Sequence, residues 1–100
     1  MDIPPLYTTE GEDDPLVVIK LFTPDSNWTW YVIESDGDTC FGLVCGHAVE
    51  MGYFALSELR DVRGPLGLRI ERDLWWEPRP LSEVKDRVHR CKPGGLVAAG

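Results

Sequence analysis

The chain has few cysteines, almost no basic residues in its first half and no long apolar run. Each shortage excludes something. The three cysteines, Cys40, Cys45 and Cys91, are an odd number. Residues 1–5 have neither the basic start nor the apolar stretch of a secretory leader. Reduced thiols in a cytoplasmic protein are therefore expected. The longest apolar stretch is about five residues, against roughly 18 for a bilayer-spanning helix, so no membrane insertion is expected. Lys20 is the single base in residues 1–56, against ten acids, a net of -9; residues 57–100 carry seven acids and nine bases, a net of +2. The whole chain stands at -7, which suits a soluble acidic domain and disfavours direct contact with nucleic acid.

Chelating and catalytic spacings are also missing. Cys40, Cys45, His47, His89 and Cys91 are the residues from which a zinc site would have to be built, and no CxxC or HxxxH occurs among them. Cys40 and Cys45 differ by five positions, so in one strand they point to opposite faces. They read as small buried thiols beside ordinary histidines, and no metal or other cofactor is expected. Cys45 and His47 are the one local nucleophile–base pair. Side chains two apart on a strand stand roughly 6–7 Å apart, too far for a direct hydrogen bond. Gly64-Pro65-Leu66-Gly67 lacks the Lys-Ser/Thr and the preceding strand of a phosphate loop. No carboxylate pair stands out, and no catalytic residue is assigned.

What is present is enough for one core. One hundred residues, 43% apolar and 27% charged, fit a single globular domain. Residues 1–15 hold prolines at 4, 5 and 15 around an acidic cluster, which predicts an irregular acidic lead-in that Leu6 and Tyr7 could anchor. Residues 16–22 (LVVIKLF), 28–34 (WTWYVIE), 40–47 and 49–55 are β-branched or aromatic runs separated by turn signals, which predicts a four-strand antiparallel meander. Gly42 and Gly46 inside the third run predict a bulge or a close approach by another element. Ser57 is expected to cap a short helix over 58–62, and residues 68–77 to run extended. Ser82 is expected to cap a final helix over 83–90, whose apolar stripe is Leu81, Val84 and Val88. The fold class is thus α+β: an antiparallel sheet of about four to five strands with a short helix and a C-terminal helix packed on it, spanning 16–91. The glycine-rich segment 92–100 is expected to be a disordered tail.

The wording of several stretches resembles a known family. Ser26-Asn27-Trp28-Thr29-Trp30-Tyr31, Phe41-Gly42-Leu43-Val44 with Gly46-His47, and Gly52-Tyr53-Phe54 with Ser57-Glu58-Leu59 are similar to domain-of-unknown-function family 2958. So are Arg63-Gly64-Pro65-Leu66-Gly67-Leu68 and Ile70-Glu71-Arg72-Asp73-Leu74, and the likeness covers about residues 5–90. The resemblance implies a bacterial protein of the kind frequent on plasmids, phages and conjugative elements. It implies no activity, cofactor or catalytic residue. Cys45 and the glycine-rich tail are departures peculiar to this chain.

The functional expectation follows from what remains. Four tryptophans, Trp28, Trp30, Trp75 and Trp76, are many for this length. Trp28 and Trp30 read as core. Neighbours in a strand point oppositely, so one of Trp75 and Trp76 should be exposed, where aromatics mark binding surfaces. Arg60, Arg63, Arg69, Arg72 and Arg79 surround them, interleaved with acids that should pair with them. The expected function is a small non-enzymatic interaction protein, an accessory factor of a mobile genetic element acting through a protein partner, for example as a DNA-mimic inhibitor. Trp75, Trp76, Arg69 and Arg72 are its expected binding residues. The alternatives are a nucleic-acid-binding accessory using Arg60 to Trp76, and a small enzyme with a site near His47.

Overall fold

Antiparallel pairing organises the chain. The computed structural model describes residues 3–9 and 11–91, with residues 89–91 by backbone alone. In chain order the elements are β1 (Leu16–Val17), β2 (Ile19–Phe22), β3 (Thr29–Asp36), β4 (Thr39–Cys45), β5 (Val49–Ala55), α1 (Leu56–Arg60), β6 (Glu71–Arg72), β7 (Arg79–Pro80) and α2 (Leu81–Cys91). Five strands form one sheet in the order β5-β4-β3-β2-β6, and β1 pairs with β7 in a two-stranded sheet. The chain is therefore α+β, with the expected meander at its centre. No described helix is long and apolar enough to cross a membrane.

Alternation along β3 and β4 sorts the side chains. Tyr31 lies opposite Leu43, and Trp30 opposite Val44. On one face Leu43, Cys45, Ile33 and Val17 meet the stripe Leu81, Val84 and Val88 of α2. Each such side chain, fully buried, contributes roughly 1.5–3 kcal/mol. Trp30, Val32 and Cys40 are buried with Val18 and Leu59. The register slips between Val32 and Glu34, a β-bulge that brings Glu34 opposite Phe41.

The run 16–22 is not one strand. Val18 donates its N–H to the Val32 carbonyl at 2.9 Å, while Leu16 and Val17 leave the main sheet to pair with Pro80 and Arg79. Nor is 68–77 one extended strand: Glu71 and Arg72 alone pair with β2. A turn at Asp73 interrupts the rest, because Asp73 Oδ1 accepts the Trp75 N–H at 2.9 Å and its carbonyl accepts that of Trp76 at 3.2 Å.

Both helices begin two residues earlier than expected, and neither serine is the cap. The N-cap of α1 is Ala55, which makes no side-chain cap bond. Asp38, in the β3–β4 turn, accepts the Ser57 N–H and hydroxyl, both at 2.8 Å. Asp14 does the same for α2, accepting the Ser82 N–H at 2.8 Å and its hydroxyl at 2.6 Å. Each helix start is satisfied by a carboxylate far away in sequence, which also suits the positive end of a helix. These Ser82 bonds, with help from Lys85 and despite some desolvation, hold the Asp14 carboxyl below the usual aspartate range.

The lead-in docks through Glu34. This carboxylate is only 2% exposed, yet it accepts the Tyr7 N–H at 2.9 Å and the Thr9 N–H at 2.7 Å, together with the Thr9 hydroxyl. Tyr7 adopts φ 67°, a left-handed conformation that turns both N–H groups toward the same side chain. The Ser35 N–H donates to the Pro4 carbonyl at 2.9 Å and fastens the same segment. Burial pushes the Glu34 carboxyl up, but the bonds from Thr9 and Tyr7 outweigh it and hold the group below its usual range. The expected tail 92–100 and the side chains of His89 and Cys91 lie outside the described residues.

Candidate interaction surface

The turn at Asp73 decides where the two adjacent tryptophans go. Asp73 is tied to β2 by its N–H, which donates to the Lys20 carbonyl at 3.0 Å, and by an ion pair with Lys20 at 4.0 Å. Leu74 and Trp75 are thereby turned outward, 83% and 92% exposed. Trp76 turns inward. Its Nε1 donates to the Val17 carbonyl at 3.1 Å, and its ring lies 5.6 Å from that of Tyr31. The Arg79 guanidinium sits 4.8 Å from the Trp76 ring centre, on the other side of a cation–π contact. One tryptophan is exposed and one packed, as their adjacency suggests, although a side-chain-capped turn rather than strand alternation separates them.

Trp75 and Arg72 line one groove of about 350 Å³, whose floor and walls include Lys20, Phe22, Asp73 and Leu74. Arg69 does not line it. It lies in a bridge with Arg63 ahead of β6. Of the four expected binding residues, Trp75 and Arg72 therefore share a surface, Trp76 packs against Val17 and Tyr31 instead, and Arg69 stands apart. Leu74 was not among the expected binding residues; its signal was adjacency to Trp75 in a segment ended by prolines.

The expected pairing of arginines with nearby acids is partial. Arg79 reaches Glu83 at 3.2 Å and Arg87 reaches the same carboxylate at 3.7 Å. Arg60, Arg63, Arg69 and Arg72 make no ion pair within 4 Å among the described residues.

The described thiol and histidine side chains, Cys40, Cys45 and His47, differ in their surroundings. Cys45 is buried in the core beneath α2, and His47 is exposed, with its ring 5.4 Å from Trp28 in an edge-on contact. Burial pushes the Cys40 thiol up; its contact to the Ser35 hydroxyl at 3.6 Å pulls the other way and Asp38 adds to the rise. A thiol so placed is a poor nucleophile at neutral pH. Among the described residues no group of three or more His, Cys, Asp or Glu side chains is arranged to hold a metal.

The model of the family described as "Protein of unknown function (DUF2958)" matches residues 6–91. The chain belongs to that family. No curated protein and no solved structure matches it.

Geometry explains much of the wording that carries the family likeness. The Pro24–Asn27 turn and the Arg63–Leu68 loop meet through Asp25, whose Oδ2 accepts the Leu66 N–H at 2.8 Å and lies 3.5 Å from that of Leu68. A Cβ on Gly64 would overlap the Asp25 carboxylate. Asp25 Oδ1 is buried with no hydrogen-bond partner among the described residues. Trp28 lies over Gly46, where any Cβ would run into its ring, and it stacks 5.9 Å from Trp30. A Cβ on Gly42 would overlap the Tyr31 carbonyl oxygen beside the bulge. These motif residues hold the fold. Leu74 and Trp75, by contrast, are large apolar side chains turned out to solvent.

Proposed function

We propose that the protein is a non-enzymatic interaction module that binds a protein partner through Leu74 and Trp75. The observation that carries this reading is the exposure of two adjacent large apolar side chains on a turn pinned by Asp73, rather than on a slack loop. Interface anchors are enriched in tryptophan, and a pre-organised anchor loses little entropy on binding. The groove behind Trp75 sets Lys20 and Arg72 beside Glu71 and Asp73, a polar rim of mixed charge around the apolar anchor. We further propose the cytoplasm of a bacterium as its setting and service to a mobile genetic element as its role.

The acidic N-terminal half gives less support to a phosphate-mimicking surface. Of its ten acids, Asp14, Asp25, Glu34 and Asp38 are engaged in holding helix starts, a loop and the lead-in. Protein contact through an apolar anchor is accordingly preferred over occupation of a DNA-binding groove.

Affinity purification from a bacterial host carrying the gene, with wild type beside Leu74→Ser and Trp75→Ala, tests the proposal. A protein that co-purifies stoichiometrically with wild type and is lost from both variants supports it. Identical partners for all three proteins would refute it.

A further inference from the structure

Among the described residues of one copy, nothing requires Gly52 to be a glycine. Gly42 and Gly46 do, since a side chain on either would strike Tyr31 or Trp28. A Cβ on Gly52 would meet nothing within 4 Å among the described residues, and its φ is not positive. A glycine in mid-strand weakens the strand and often marks close approach by another backbone.

Gly52 stands at the middle of β5, and β5 is an outer strand of the five-stranded sheet. The two outer strands differ. β6 is two residues long and charged, Glu71 and Arg72, which are the usual protections of a sheet edge. β5 runs seven residues, VEMGYFA, with no proline or lysine and a single charge at Glu50. Its register against β4 is unbroken, so no bulge twists it away.

The hydrogen-bond phase shows which groups face outward. The Gly46 N–H donates to the Ala48 carbonyl at 3.0 Å and the Leu56 N–H to the Asp38 carbonyl at 2.8 Å. In antiparallel pairing, bonded and non-bonded residue pairs alternate, so even-numbered residues of β5 bond to β4. The backbone groups of Val49, Met51 and Ala55 then point away from the sheet, and no strand among the described residues receives them.

We propose that β5 is the seam of a homodimer, in which two copies pair antiparallel about a two-fold axis at Gly52 and join their sheets into one. In that register Val49 lies opposite Ala55 of the second copy, Met51 opposite Tyr53, and Glu50 opposite Phe54. No like charges meet. Centring the axis on Glu50 instead would set two carboxylates face to face. Gly52 falls opposite itself at a non-hydrogen-bonded position, where antiparallel backbones approach to about 4.5 Å between Cα atoms. Exposed Met51 and Tyr53 carry the contact, and Tyr53 extends it inward through Phe41 at 4.9 Å and Tyr7 at 6.2 Å.

Light scattering on the eluting full-length chain tests the mass, and two substitutions test the seam. At about 100 µM the expected mass is twice 11.3 kDa. Gly52→Cys is expected to form an interchain disulfide on air oxidation, because the Cα spacing across the axis lies in the disulfide range. Met51→Pro removes a donor that points away from β4, so the expected result is a folded monomer with an unchanged far-ultraviolet spectrum. A wild-type monomer at every concentration up to about 1 mM would overturn the proposal. So would a dimer that survives Met51→Pro. If that variant does not fold, the cross-link decides: its absence from oxidised Gly52→Cys overturns the seam.

Discussion

Replacing Glu34 by glutamine should release the N-terminal lead-in. Glutamine has the same shape but offers one oxygen where the carboxylate offers two. If that oxygen keeps the Thr9 N–H and hydroxyl, the amide nitrogen faces the Tyr7 N–H, donor against donor. One bond is lost and two change from charged to neutral. With charged hydrogen bonds worth about 1.5–3 kcal/mol and neutral ones about 1, the gross loss is roughly 2.5–7 kcal/mol, and the smaller burial penalty of an uncharged amide returns part of it, leaving a net cost of about 2–3 kcal/mol. For a domain of this length that is about 10–20 °C in Tm. The effect has a defined pH dependence. The folded pKa lies below the ordinary glutamate value of 4.5, so the stabilisation is complete above that value and drains as pH falls through the folded pKa. Thermal denaturation at pH 7 and again near pH 3, with amide exchange at Tyr7 and Thr9, measures both parts. The gap between wild type and Glu34→Gln should be wide at pH 7 and narrow in acid. Equal Tm values at pH 7 with unchanged exchange at both amides would refute the reasoning.

Other outcomes follow from the same geometry. Gly42→Ala should cost about 3 kcal/mol or more because it drives a Cβ into backbone, whereas Gly52→Ala, whose Cβ meets nothing among the described residues of its own copy, should leave the stability of the dilute monomer unchanged or raise it by up to about 1 kcal/mol; chemical denaturation at low protein concentration ranks them. Asp14→Ala and Asp38→Ala should each lower Tm by uncapping a helix, and amide exchange should rise at Ser82 in the first and at Ser57 in the second. Fluorescence anisotropy at ~150 mM salt should detect no micromolar binding of duplex DNA; binding abolished by Arg69→Glu with Arg72→Glu would instead favour a nucleic-acid accessory.

The sheet was legible because its cues are local. Residues 28–34, 40–47 and 49–55 alternate or cluster in ways that a strand requires, and the turn residues between them are strong. The stripe Leu81, Val84 and Val88 marked the face of α2 that is buried. What escaped notice is long-range. Asp14 and Asp38 act on serines 68 and 19 residues away, so a rule about neighbouring residues assigned the capping to Ser57 and Ser82. Glu34 sits in an ordinary strand sequence, and only the bulge and the docked lead-in make it a buried anchor. On the candidate surface, Trp75 was legible as one of an adjacent pair. The inward turn of Trp76 depends on Asp73 binding back to β2, and the separation of Arg69 from the groove depends on its bridge to Arg63.

Photo-cross-linking from position 75 in living cells tests the central claim most directly. A benzoyl-phenylalanine in place of Trp75 should give a discrete adduct to one protein, and the same group at Asp36, the exposed last residue of β3, should not. An adduct to nucleic acid at position 75, or no adduct there at all, would contradict the assignment of Leu74 and Trp75 as the protein-binding anchor.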